Sequence, residues 1–225
     1  MFGKNKILKP ENGDGSSLKV QEIFATFQGE AIYAGWPSVF VRLGGCNLAC
    51  DFCDTEFDSF EELSIEEIIA KVVNLSRNSQ GKTTHKLIVI TGGEPLRQPI
   101  APLCQRLVDE GFLVQIETNG TIFRELPREV KIICSPKVAN GKYHTIRPDL
   151  LSRIDAFKFI ISVDKKEYSD IFEVGQSQTD AAVYLQPMDE YDAAKNLANQ
   201  RLTLKLAEEY GARISLQTHK IWGIA

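Results

Sequence analysis

No apolar run in the 225-residue chain approaches the ~20 residues that a membrane-spanning helix requires. Nor is there a surplus of positive charge. Lysine and arginine number 26 against 30 aspartates and glutamates, a net charge of −4, and they are scattered along the chain, so the electrostatic footprint of a nucleic-acid binder is missing. Cysteine is scarce, five in all, and an odd number argues against a disulfide framework. Histidine is scarcer still: His85, His144 and His219 are not at a zinc-finger spacing. Met1 to Ser17 has no apolar signal core and carries Asn12-Gly-Asp-Gly-Ser-Ser17, a polar, glycine-rich stretch that reads as a flexible leader over 1–17. The expectation is a cytoplasmic protein acting on a small molecule, with neither nucleic acid nor membrane as a partner.

What is present suits one globular domain over residues 18–225. Apolar residues make up 43% and charged residues 25% of the chain, enough for a substantial core without disulfide help. Short β-branched runs alternate with helix-period segments, the pattern of βα units around a parallel sheet. Strands are expected at Val39 to Leu43, Leu87 to Ile90, Phe112 to Ile116, Lys131 to Cys134, Ala156 to Ile161, Ala181 to Leu185 and Arg213 to Gln217, with Leu18 to Phe24 as an edge strand. Ser64 and Glu67 form a capping-box signature ahead of the apolar stripe Ile65, Ile68, Ile69, Val72 and Val73. Further helices are expected from about Ile100 to Glu110, stopped by Gly111, and from Ala193 to Tyr210, stopped by Gly211.

Polar turns follow these strands, and in parallel α/β architectures such turns converge on one rim. Cys46, Cys50 and Cys53 lie in Gly45-Cys-Asn-Leu-Ala-Cys-Asp-Phe-Cys-Asp54, and no fourth cysteine follows nearby. Structural zinc takes four protein ligands, whereas three thiolates on an iron–sulfur cubane leave one iron open. A zinc knuckle borrowing a remote histidine is the rival reading. Gly44 and Gly45 let the backbone approach a cluster, and Phe52 can cover it. Thr91-Gly-Gly-Glu-Pro95 leaves bare backbone at a strand end, with Glu94 an acceptor for an ammonium group. Cys104 and Cys134 read as small buried hydrophobes.

The three-then-two cysteine spacing, followed about forty residues later by Gly92-Gly-Glu-Pro95, resembles the radical S-adenosylmethionine (SAM) enzymes. Phe27-Gln-Gly-Glu30, Val39-Phe-Val-Arg42, Cys53-Asp-Thr55, Ile116-Glu-Thr-Asn-Gly120, Ser135-Pro-Lys137, Leu185-Gln-Pro187 and Gln217-Thr-His-Lys220 resemble the 7-carboxy-7-deazaguanine synthases of that superfamily. The likeness runs from about residue 20 to the end and is loose over 140 to 180. It implies an incomplete, open (β/α) barrel of about six parallel strands. It implies a lyase that converts 6-carboxy-5,6,7,8-tetrahydropterin to 7-carboxy-7-deazaguanine with loss of ammonia, on the route to queuosine and other deazapurines.

The resemblance also distributes roles. Cys46, Cys50 and Cys53 would hold a [4Fe–4S] cluster. Phe52, Cys53, Asp54, Gly93, Glu94, Ser135, Pro136, Lys137, Gln186, Pro187, Met188 and Asp189 would hold SAM. Phe27, Gln28, Gly29, Arg42, Thr91 and the terminal carboxylate of Ala225 would bind the pterin, Arg42 through its carboxylate. Thr55 would ligate Mg²⁺. No side-chain acid or base is assigned, and Glu117, Asn119 and His219 are left without roles. A homodimer and an electron donor such as a flavodoxin or ferredoxin are implied partners. Two alternatives stay open: an activase that abstracts hydrogen from a protein glycine, and a zinc-stabilised domain with no enzymatic activity.

Overall fold

The structure, a computed structural model, describes residues 5–53, 55–139 and 141–224. In chain order its elements are β1 (Ser17–Phe27), β2 (Pro37–Leu43), β3 (Glu61–Ser64), α1 (Ile65–Leu75), β4 (Leu87–Gly92), α2 (Ala101–Asp109), β5 (Leu113–Thr118) and β6 (Lys131–Cys134). They continue as β7 (Val138–Ala139), β8 (Lys142–Tyr143), α3 (Pro148–Leu151), β9 (Ala156–Ile161), β10 (Ala182–Pro187), α4 (Ala193–Tyr210), β11 (Arg213–Ile214) and α5 (Thr218–Trp222).

One nine-stranded sheet runs in the order β11-β10-β9-β6-β5-β4-β2-β1-β3. From β2 to β11 every neighbouring pair is parallel, seven strands in all, and the strand expected over Arg213 to Gln217 is cut to the two residues of β11. The sheet stays open, as an incomplete barrel does. β1 is antiparallel to β2 and is itself covered by antiparallel β3, so the stretch expected as an edge strand is longer and lies one strand in from the edge. β3, the β7–β8 pair, α3 and α5 were not anticipated, because runs of two to five residues are too short to display a period.

Local chemistry accounts for the helices that position the site. Ser64 Oγ accepts from Glu67 N at 3.2 Å while Glu67 Oε2 accepts from Ser64 N at 2.8 Å, closing the capping box. The stripe Ile65, Ile68, Ile69 and Val72 is buried against the sheet, and each fully buried isoleucine contributes about 1.5–3 kcal/mol. Asp192 caps α4, and Gly211, at φ 63°, ends it. The buried face of α4 is partly polar. Asn199 donates to Met188 O at 3.0 Å and accepts from Val163 N at 2.8 Å, fixing the turns that leave β9 and β10.

Residues 5–16, which composition suggests is a flexible leader, are hydrogen-bonded to the body. Leu8 N donates to Cys46 O at 2.8 Å and Glu11 N to Arg97 O at 2.7 Å. Backbone pairing and the buried Arg97 outweigh the flexibility that the glycines confer. Among the described residues no helix is long and apolar enough to cross a membrane.

Candidate active site

The parallel strands point their carboxyl ends at one cavity of about 260 Å³. Its walls include Cys46, Cys50, Phe52, Cys53 and Thr55 from the loop after β2, and Thr91 and Gly93 from the end of β4. Ser135 and Lys137 follow β6, and Gln186, Pro187, Met188 and Asp189 close β10. Residues far apart in sequence, each expected to bind cluster, cofactor or substrate, thus share one space.

Backbone geometry explains the glycines there. A Cβ on Gly93 would lie 2.1 Å from Gly45 O, so the turn after β4 can pass the cysteine loop only without a side chain. Glu94 N then donates to Gly45 O at 3.1 Å, tying the two loops together. The side chain of Glu94 departs from expectation. It is fully buried, accepts from Thr118 Oγ1 (2.7 Å), Asn119 N (2.7 Å) and Leu96 N (2.9 Å), and does not line the cavity. Burial pushes its pKa up against the pull of those donors. Its carboxylate is a clamp between turns, buried behind the cavity wall, and not the cavity-facing acceptor expected for an ammonium. Asn119 has a related role: it donates to Asn47 Oδ1 at 2.9 Å, linking the cysteine loop to the end of β5.

The three thiols face the cavity, but among the described residues no three Cys, His, Asp or Glu side chains are grouped to hold one metal ion. Three thiolates presented to one cavity suit a cubane that keeps one iron open. Burial holds the Cys46 thiol up to about 12 and raises that of Cys50, where the nearby Lys137 ammonium pulls the other way. Cys104 and Cys134 are buried in the core, as expected of small hydrophobes.

The least anticipated feature is a buried ion network. Lys158 Nζ bonds Glu117 Oε2 at 2.7 Å and also bonds Glu30 Oε2, with all three side chains lining the cavity. Glu30 Oε1 accepts from Gln186 Nε2 (3.0 Å) and Gln217 Nε2 (3.1 Å), and Glu117 Oε1 from Gln28 Nε2 (3.0 Å). Burial alone would raise the Glu30 pKa, but Lys158, helped by the Gln217 amide, outweighs it and holds the carboxyl down to about 2. Desolvation would likewise lower the Lys158 pKa, and the two carboxylates outweigh it and raise it. A signal existed in the sequence: Ala156-Phe-Lys-Phe-Ile-Ile161 places one lysine in an otherwise apolar strand, where an unpaired charge cannot be buried.

Of the residues expected to bind the pterin, Gln28 enters through this network and Thr91 lines the cavity directly. Gly29 supports α5: a Cβ there would lie 2.2 Å from His219 Nδ1, so the imidazole rests on bare backbone. Phe27 is 46% exposed and outside the cavity, as is the buried Pro136. Arg42 is the register partner of Thr91, on the same sheet face. Its guanidinium is nevertheless drawn to Glu22 at 2.9 Å and over the Phe24 ring at 5.3 Å, away from the cavity wall. Asp54 and Ala225 lie outside the described residues.

Comparison with known proteins agrees with this geometry. The family model of the Radical SAM superfamily matches residues 40–171. A 7-carboxy-7-deazaguanine synthase from Rickettsia prowazekii is 58% identical over 224 residues, covering 100% of this chain and 96% of that protein. One from Rhodospirillum rubrum is 38% identical over 248 residues and covers 100% of both. The crystal structure of QueE from Escherichia coli superposes with a TM-score of 0.74 at 27% identity, covering 89% of this chain and 94% of that one.

Proposed function

We propose, for a chain that belongs to the 7-carboxy-7-deazaguanine synthases of the radical SAM superfamily, that this cavity holds 6-carboxy-5,6,7,8-tetrahydropterin beside SAM and yields 7-carboxy-7-deazaguanine with loss of ammonia. The observation that carries the reading is the meeting of the cysteine loop, the Gly92-Gly93 turn and the Lys158 ion network in one cavity. Fixed charges there suit a polar small molecule; a protein glycine would leave them unmatched, which disfavours an activase.

When bound, the [4Fe–4S] cluster and SAM supply the one-electron chemistry that abstracts hydrogen from the pterin. The chain's own residues bind, orient and exclude water. Cys46, Cys50 and Cys53 hold the cluster, and Phe52, packed edge-on against Tyr168 with centroids 5.2 Å apart, shields it. Gly93, Ser135, Lys137, Gln186, Pro187, Met188 and Asp189 hold SAM. Lys137 Nζ donates to Ser135 O at 2.9 Å and Oγ at 2.7 Å, which fixes its ammonium at the cavity wall. Glu30 and Glu117, both held in place by Lys158, offer acceptors to the amino and ring N–H groups of the pterin. Thr55 contributes an oxygen to Mg²⁺, which favours hard ligands and keeps several waters.

Arg42 pairs with the substrate carboxylate by exchanging Glu22 for it, a short swing from the strand position beside Thr91. Arg42→Ala is therefore expected to remove a charge-assisted pair worth about 1.5–3 kcal/mol, raising KM roughly 10- to 150-fold with little change in kcat. An unchanged KM in steady-state assays would dismiss the role.

Anaerobic incubation with the carboxytetrahydropterin, SAM and a reductant is expected to release the ultraviolet-absorbing deazaguanine, faster with Mg²⁺. Absence of that product from cluster-loaded protein sinks the assignment, and indifference to Mg²⁺ sinks the role of Thr55. A flavodoxin- or ferredoxin-type protein supplies the electron in this reading, and the work is done in the cytoplasm, where thiols are kept reduced. Two chains pair. The exposed Ile214, Leu216, Ile221 and Trp222, around β11 and α5, support such pairing.

A further inference from the structure

The segment 5–16 lies outside the motifs that carry the family likeness, yet it packs along the cysteine loop. Ile7 forms a parallel bridge with Cys46. Behind it, the buried Arg97 guanidinium joins Glu11 at 2.6 Å and Gly44 O at 3.0 Å, so the segment and the start of the loop share one anchor. At the far end of the loop a single carboxamide makes three contacts. Asn5 Nδ2 donates to Thr55 O at 2.8 Å and reaches Cys53 Sγ at 3.7 Å, while Asn5 Oδ1 accepts from Phe57 N at 2.8 Å. Asn5 also lines the cavity.

We propose that Asn5 is a positioning residue of the cluster site: its N–H group partners the Cys53 sulfur while its oxygen holds the loop at Phe57. A donor aimed at a ligand sulfur favours the more negative, reduced state of a cluster, so Asn5 makes the bound cluster easier to reduce. The same amide shapes the loop before any cluster is bound, because its contacts to Thr55 and Phe57 involve backbone alone.

The inference rests on the cluster reading, and the full chain tests the two separately. Asn5→Leu removes donor and acceptor; Asn5→Asp keeps an oxygen for Phe57 N but sets an anion beside the sulfur. Potentiometric titration of the reconstituted proteins, followed by electron paramagnetic resonance of the reduced cluster, is expected to give a more negative midpoint in both. Hydrogen exchange of residues 53–57 before reconstitution is expected to quicken in Asn5→Leu and to stay closer to wild type in Asn5→Asp. A midpoint unchanged in either variant that takes up the cluster overturns the tuning role, and unchanged exchange in Asn5→Leu overturns the clamping role. Wild-type protein that gathers no visible absorbance on reconstitution would instead sink the cluster reading. Should Asn5→Leu fail to fold, Asn5→Asp still decides the midpoint.

Discussion

Replacing Lys158 by methionine is expected to destabilise the protein by about 3–5 kcal/mol, a fall in Tm of roughly 6–20 °C, and to abolish turnover. Methionine matches the aliphatic stem, so packing survives. The loss is electrostatic: Glu30 and Glu117 remain largely, though not fully, out of water with no cation between them. The pH dependence separates this cause from a packing defect. In the wild type the Glu30 pKa is depressed to about 2, so its contribution is complete above the ordinary carboxylate value of about 4.5 and is lost as pH falls toward 2. In the variant Glu30 loses the cation that holds its pKa down, takes up a proton in the native state, and stability falls as pH rises. The Tm gap between variant and wild type should therefore widen from about pH 5 to pH 8. Adding Glu30→Gln and Glu117→Gln should recover part of the Tm without restoring turnover, because each carboxylate loses its charge and one of its two acceptor oxygens becomes an NH2 donor. A gap that does not depend on pH, or no gap, would refute the network's role.

The ion network also shows where reading the sequence stops. Glu30 and Lys158 stand 128 positions apart, and nothing local to either names the other. The strand around Lys158 shows only that a partner must exist. The cysteine loop and the Gly92-Gly93 turn were legible because each carries its chemistry within a few residues: ligand spacing in one, absent side chains in the other. Strand β6, strand β9 and helix α4 match their expected limits to the residue, since their boundaries are set by local polar turns and caps. Glu94 was misread for the opposite reason. Its acidity was visible, but the three donors that hold it come from Leu96 and from Thr118 and Asn119 at the end of β5. Segment 5–16 looked mobile from its glycines because Arg97, which holds it, sits in another loop.

Cys46→Ala is expected to leave the fold standing and to remove activity to below detection. Cys46 is nearly buried, and its thiol stays protonated at neutral pH until a metal takes the proton's place. Its backbone carbonyl anchors Leu8 and is untouched by the substitution, so the loop keeps its course. What disappears is one of three thiolate ligands, and two cannot hold a cubane with an open iron. Anaerobically reconstituted wild-type protein should be brown, and Cys46→Ala, Cys50→Ala and Cys53→Ala should each be bleached, with iron content falling in step. Cys104→Ala and Cys134→Ala provide the contrast. Both side chains are fully buried, so their removal costs stability through a small cavity yet leaves the colour intact. Colour retained in Cys46→Ala, or lost in Cys104→Ala, would mean that the cluster is held elsewhere, and the link between the cysteine loop and the cavity chemistry would fail with it.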